Sequence, residues 1–188
     1  LVAMVCSLRG SVCLYQGEEL GLGEADVPFE ALQDPYGKAF WPTFKGRDGC
    51  RTPMPWDDST EAGFTTGRPW LPVADAHRAH AVAMQDPDPS STLNATRRFL
   101  RWRKTMPALQ LGDIAFHAAP EPILAFSRSL AAEHMLVVFN LSGTAAEWVL
   151  PQDLGTARVI DGHGLASGVI EGDRLRLPGH GVFYGRID

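Results

Sequence analysis

The chain has 188 residues, of which 45% are hydrophobic and 21% charged, with a formal net charge of −5. That length holds one large domain or two small ones, and the composition is that of an ordinary globular protein. The acidic balance and the lack of a Lys/Arg tract argue against a nucleic-acid partner, and no run is long and apolar enough to span a bilayer. The chain starts at Leu1 without the basic start or cleavage site of a signal peptide, so its natural N-terminus is expected upstream. Cys6, Cys13 and Cys50 are odd in number and lack Cys-x-x-Cys spacing, which suits free thiols in a reducing, cytoplasmic setting. His77 and His80, at i and i+3, have no third ligand nearby, so neither a metal nor another cofactor is expected.

In chain order, Leu1–Leu8 is apolar almost all round and is followed by Gly10, which predicts the end of a buried helix with a glycine stop. Val12-Cys13-Leu14-Tyr15 is a short apolar run and predicts a parallel strand covered on both faces. Helix, tight turn and buried strand are the rhythm of a β/α barrel. One parallel strand cannot form a sheet, so an N-terminal part of the same barrel is an expected partner of this chain. Residues 21–89 are rich in Gly, Pro and Trp and lack periodicity. Their aromatic load argues for an ordered functional loop rather than disorder.

Asp75 to Met84 predicts a short helix. Asp88-Pro89-Ser90-Ser91 reads as the start of another, with Leu93, Thr96, Phe99, Leu100 and Arg103 at helical spacing and Pro107 as its stop. From about Gly112 the texture changes to short strands separated by turn clusters. The predicted strands are Ile123–Ser129, Met135–Leu141, Glu147–Leu150, Ala157–Ile160, Arg174–Leu177 and Val182–Ile187, the pattern of an antiparallel sandwich. The expected fold class is α/β followed by all-β, with residues 1–107 in one domain and 108–188 in the other.

Three motifs stand out: Leu14-Tyr15-Gln16-Gly17-Glu18-Glu19-Leu20-Gly21-Leu22, Asp34-Pro35-Tyr36-Gly37, and the run from Gly46 to Trp56. Together they resemble the α-amylase superfamily of glycoside hydrolases, in its exo-acting α-glucosidase and oligo-1,6-glucosidase branch. The resemblance implies the last strand, long active-site loop and last helix of a (β/α)8 barrel, followed by a β-sandwich C-terminal domain. It implies a retaining enzyme that releases terminal α-linked glucose from short oligosaccharides or glucosides, or transfers it. The family's three catalytic carboxylates lie upstream of these motifs, so no catalytic residue is assigned and the isolated chain is expected to be inactive. Sucrose hydrolases and isomerases share these elements and form the alternative within the superfamily. A non-catalytic carbohydrate-binding sandwich is the alternative outside it, and a catalytically dead transporter partner would need a membrane anchor.

Arg51 is the leading substrate-binding candidate. The family's arginine at this position in Arg47-Asp48-Gly49-Cys50-Arg51-Thr52-Pro53-Met54-Pro55-Trp56 closes the floor of the pocket for the terminal glucose and pairs with an upstream aspartate. A planar, permanently charged fork held by a carboxylate suits that task. Glu30, with Asp34, is placed by the same loop at the entrance, against the leaving-group sugar. Glu18 and Glu19 are neighbours and cannot face one sugar from opposite sides, so they are expected to cap backbone or form a buried ion pair. Arg47 and Asp48 are expected to pair with each other. Trp41, Trp56 and Trp70 are expected to pack into the loop or core rather than stack on sugars.

Overall fold

The computed structural model describes residues 1–187. The chain forms two compact units, one made of Leu1–Cys13 with the residues from Thr96 onward, the other of Leu14–Ala95. Among the described residues no helix is long and apolar enough to cross a membrane.

The first unit contains α1 (Val2–Ser7), the C-terminal two turns of a helix spanning Thr92–Arg103, a short helix at Pro107–Leu111 and eight strands. The strands are β1 (Asp113–His117), β2 (Ile123–Leu130), β3 (Glu133–Asn140), β4 (Ala146–Val149), β5 (Ala157–Val159), β6 (Val169–Glu171), β7 (Arg174–Leu177) and β8 (Val182–Ile187). They form a five-stranded antiparallel sheet in the order β1-β2-β3-β8-β5 and a three-stranded one in the order β4-β7-β6.

The central strand β3 reads Met-Leu-Val-Val-Phe because the larger sheet is covered on both faces. Side chains alternate across a strand. Met135, Val137 and Phe139, with Phe126 and Tyr184, therefore pack toward Cys6, Phe99, Trp102 and Leu109 of the helices. Leu136, Val138 and Phe183 point the other way, onto Trp148, Leu175 and Leu177 of the smaller sheet. The six predicted strands are present to within two residues at their ends. β1 and β6 were not predicted. Both are edge strands with mostly exposed residues, so they lack the alternation that reveals a half-buried strand.

Three expectations are corrected here. Val12–Tyr15 forms no strand, because no described residue is placed to share its backbone hydrogen bonds, and Leu14 and Tyr15 are exposed. The helix over Leu1–Leu8 is buried at Cys6 and Ser7, while Leu1 and Val5 face outward. Pro107 is not where the long helix stops. That helix ends at Arg103, and Pro107 opens the next one at its first position, where a missing N–H costs nothing.

Polar ties sit inside this core. Ser7 donates to Ala3 O at 2.7 Å and accepts the Tyr184 hydroxyl at 2.8 Å, and burial pushes the Tyr184 phenol up. His163 is buried, with its ring 5.4 Å from Trp102 and 5.0 Å from Tyr184. The Leu165 N–H donates to its Nδ1 at 3.1 Å, so the proton resides on Nε2 and points to Ser167 Oγ at 3.1 Å. A second proton would break the Leu165 bond.

Burial lowers the His163 pKa from its ordinary 6.5, with Asp161 opposing the shift. The unfolded chain therefore binds this proton at a higher pH than the folded one. The contribution of His163 is whole above about pH 6.5 and is lost as pH falls below that value. Thermal midpoints of the complete protein between pH 7 and 5 should fall less steeply in His163→Asn than in the wild type. Equal slopes would remove His163 from the account.

The second unit is held by short turns and two small apolar clusters, Leu20, Met54 and Leu93, and Val27, Leu32 and Leu71. The predicted helix over Asp75–Met84 is split into Asp75–Arg78 and Val82–Gln85. The break arises because the N–H groups of Val82 and Ala83 donate to Pro55 O and Trp56 O, at 3.0 and 2.9 Å. Gln85 is buried and pins the same region, donating to Leu20 O and His80 O and accepting from Leu93 N. Ser91 Oγ accepts the Asn94 N–H at 3.2 Å, so the long helix starts where its sequence predicts.

Candidate functional site

The motif from Gly46 to Trp56 folds around two aspartates. Asp34 caps the helix Pro35–Ala39, with Oδ1 accepting the N–H groups of Tyr36 and Gly37, while Pro35 fills the first position. Its Oδ2 accepts the Arg47 N–H at 2.9 Å. That bond is the largest of the causes that hold its carboxyl below the usual carboxylate range, opposed by burial. Gly46 is required here, because its φ is +77° and a Cβ would lie 2.8 Å from Asp34 Cγ.

Asp48 is fully buried. Its Oδ2 accepts the N–H groups of Gln33 at 2.6 Å and Asp34 at 2.7 Å. Its Oδ1 has no hydrogen-bond partner among the described residues. The expected pairing of Arg47 with Asp48 does not form. Backbone amides outcompete the Arg47 side chain, since the folded loop delivers two of them directly to this carboxylate. Asp34, expected at the entrance, is instead a buried cap and cannot meet a leaving-group sugar.

Arg51 lies between the two carboxylates. Its Nη1 is 3.8 Å from Asp34 Oδ2 and 3.8 Å from Asp48 Oδ1, and its side chain is 40% exposed. These separations are Coulombic contacts beyond hydrogen-bond reach. The charge is fixed in place while the guanidinium N–H groups remain uncommitted to protein acceptors among the described residues. That arrangement can donate to an incoming hydroxyl without first breaking a bond.

Glu30 sits in the turn Phe29–Ala31 and lines a cavity of about 370 Å³ with Gln33, Glu61, Arg68, Trp70 and Arg78. Glu18 and Glu19 act as expected of backbone caps. Glu18 accepts the Tyr15 N–H at 3.3 Å and Glu19 accepts the Gly17 N–H at 2.9 Å. Of the tryptophans, Trp41 is half-buried, tilted against Phe29 at 5.7 Å with Lys45 Nζ 5.4 Å above its ring. Trp56 and Trp70 are 50% and 65% exposed, against the expectation that they pack.

A second cavity, about 210 Å³, is lined by Tyr15, Gln16, Glu18, Cys50, Thr52 and His77. His77 is buried, with Nε2 2.9 Å from Gly23 O, so that nitrogen is the donor and Nδ1 faces Thr52 Oγ1 at 3.4 Å. The sequence pattern shows His77 only by its spacing from His80. Its neighbours come from residues 23 and 52, which no local pattern could reveal.

Residues 1–112 match the family model of the α-amylase catalytic domain. The chain belongs to the α-amylase family. Among curated relatives, the probable α-glucosidase of Rhizobium meliloti (strain 1021) is 46% identical over 187 residues, covering 100% of this chain and 33% of the relative. The oligo-1,6-glucosidase of Parageobacillus thermoglucosidasius is 30% identical over 173 residues, covering 82% of this chain and 31% of the relative. Among solved structures, the α-glucosyl transfer enzyme XgtA superposes with a TM-score of 0.95 at 58% identity, covering 100% of this chain and 35% of that one. The chain spans about a third of the length of the curated relatives it matches. In α-amylase family terms it carries the C-terminal part of the catalytic barrel and a β-rich region beyond it.

Proposed function

We propose that the complete protein is a retaining, exo-acting α-glucosidase that hydrolyses terminal α-linked glucose from short oligosaccharides or glucosides and transfers it to sugar acceptors. Residues 1–107 complete its (β/α)8 barrel, residues 108–188 form its C-terminal sandwich, and the catalytic carboxylates belong to barrel strands outside this chain. The observation that carries the reading is Arg51, whose charge is held by Asp34 and Asp48 while its donors stay free. In this role Arg51 binds a hydroxyl of the terminal glucose and closes the pocket floor, so that only chain ends enter. Glu30 meets the ring of the leaving group.

In the first step a carboxylate displaces the leaving-group oxygen, which takes a proton from the acid. In the second, water or a sugar hydroxyl displaces the enzyme carboxylate and returns that proton, so the anomer is retained. The 58% identity to an enzyme described by its glucosyl transfer supports the transfer branch. Three free cysteines fit a cytoplasmic location.

The test uses the complete protein with a chromogenic α-glucoside and with short oligosaccharides, following the first-formed anomer by NMR. Turnover releasing α-glucose is expected, and residues 1–188 alone should show none. Absence of turnover by the complete protein, or release of β-glucose, would end the reading.

A further inference from the structure

The Arg51 side chain has two Coulombic contacts and no hydrogen bond among the described residues, so the direction of its fork is set by the backbone on either side. On one side stands the turn Asp48–Cys50, where the Arg51 N–H donates to Asp48 O at 2.9 Å. That turn leans on the segment after Gly23. The Ala25 N–H donates to Gly49 O at 3.0 Å, and a Cβ at Gly49 would collide with Ala25 O. On the other side stands Thr52, which is buried beside a buried histidine brought from a later helix.

That histidine, His77, bridges the two sides. Its Nε2 donates to Gly23 O at 2.9 Å, and its Nδ1 is 3.4 Å from Thr52 Oγ1. With the proton on Nε2, Nδ1 is an acceptor and the Thr52 hydroxyl is its donor. One imidazole therefore ties the segment that supports Gly49 to the residue that follows Arg51. The helix Asp75–Arg78 that carries it is anchored in turn, because Arg78 donates to Ser59 O and Thr60 O, both at 2.8 Å. Packing alone does not hold this backbone. Gly49, Cys50, Thr52 and His77 border the cavity of about 210 Å³, and atoms beside open space lack packing partners on that side. Hydrogen bonds take over the task.

We propose that His77 is a positioning residue for substrate binding, holding Thr52 so that the Arg51 guanidinium is aimed at the terminal glucose. This rests on the role given to Arg51 in the α-glucosidase reading above. The imidazole itself touches no sugar. It acts through the peptide that joins residues 51 and 52, which sets the direction from which the guanidinium reaches a hydroxyl. Coulombic contacts at 3.8 Å survive a change in that direction, whereas a hydrogen bond weakens steeply once its angle is lost.

The experiment measures kcat/KM on a chromogenic α-glucoside in the complete protein, with His77→Gln and Thr52→Val each made in the wild type and in Arg51→Ala. Thr52→Val removes the hydroxyl and keeps the side-chain shape. His77→Gln keeps a donor for Gly23 O and leaves no acceptor at the Nδ1 position. In the wild-type background each should lower kcat/KM about fivefold, the factor carried by one neutral hydrogen bond. In the Arg51→Ala background each should lower it by no more than about twofold, because a residue that acts only through Arg51 has nothing left to position. Equal losses in the two backgrounds overturn the proposal. So does Thr52→Val with unchanged kcat/KM, or a lowered thermal midpoint as the sole effect. Should His77→Gln fail to fold, Thr52→Val decides by the same comparison. A wild type inactive on the glucoside would instead bring down the α-glucosidase reading itself. An active wild type with undiminished Arg51→Ala would bring down the role of Arg51, and that of His77 with it.

Discussion

Arg51→Ala in the complete protein is expected to lower kcat/KM for short α-glucosides by about 100-fold. Hydrogen bonds from a charged donor contribute roughly 1.5–3 kcal/mol, and each 1.4 kcal/mol is a factor of ten. The variant also strips the nearest cation from Asp48, which is buried with one oxygen lacking a hydrogen-bond partner, so some stability should be lost as well. Arg51→Lys separates the two effects. A lysine keeps a positive charge near Asp34 and Asp48 and should return the thermal midpoint. It has no planar fork, so kcat/KM should stay at least tenfold down. If lysine restores both, or if alanine changes only stability, Arg51 merely ties down the loop.

The largest expected loss of stability comes from Arg128. It is fully buried, and among the described residues no carboxylate forms an ion pair with it. Its guanidinium donates from Nη1 to Ser7 O at 2.6 Å and Leu109 O at 3.1 Å, from Nη2 to Gly112 O at 2.8 Å, and from Nε to Asp113 O at 3.2 Å. Ser7 ends α1, and Leu109 and Gly112 lie at the close of the helix Pro107–Leu111. Carbonyls at helix C-termini lack intrahelical donors and carry partial negative charge, so they substitute for a counter-ion. Arg103 joins them, donating to Cys6 O at 2.6 Å and Leu109 O at 3.3 Å. Burial, with Arg103 and Arg9 nearby, lowers the Arg128 pKa, and Asp113 opposes the shift.

Arg128→Leu leaves these carbonyls buried without donors and should cost about 4 kcal/mol, the scale of breaking one side of a buried charged network. Denaturant unfolding of the complete protein measures it. A loss below about 1 kcal/mol would mean that water replaces the guanidinium. Arg128→Lys should recover only part, because one ammonium cannot reach acceptors spread across a planar fork.

Much of the β-rich region was legible in the residues themselves. Period-2 alternation and turn clusters located six of its strands, since a strand with buried faces writes its geometry into its own residues. The motif from Gly46 to Trp56, with Leu14–Leu22 and Asp34–Gly37, likewise carries the resemblance to the α-amylase family, and residues 1–112 match that family's catalytic domain. The start of the long helix was readable for the same local reason, as Ser91 shows.

Partnerships were not readable. Asp48 chose the amides of Gln33 and Asp34 over the side chain of Arg47, and Asp34 became a buried cap. Arg128 faces helix ends contributed by residues 7, 109 and 112. Trp70 reads as packing and stands open beside Glu30. Val12–Tyr15 has the composition of a strand, yet among the described residues no neighbour pairs with it. Local preference and periodicity act within a few residues, so the sequence by itself determined the elements and the family. Which charge meets which acceptor depends on residues tens of positions apart, and only the tertiary structure brought those together.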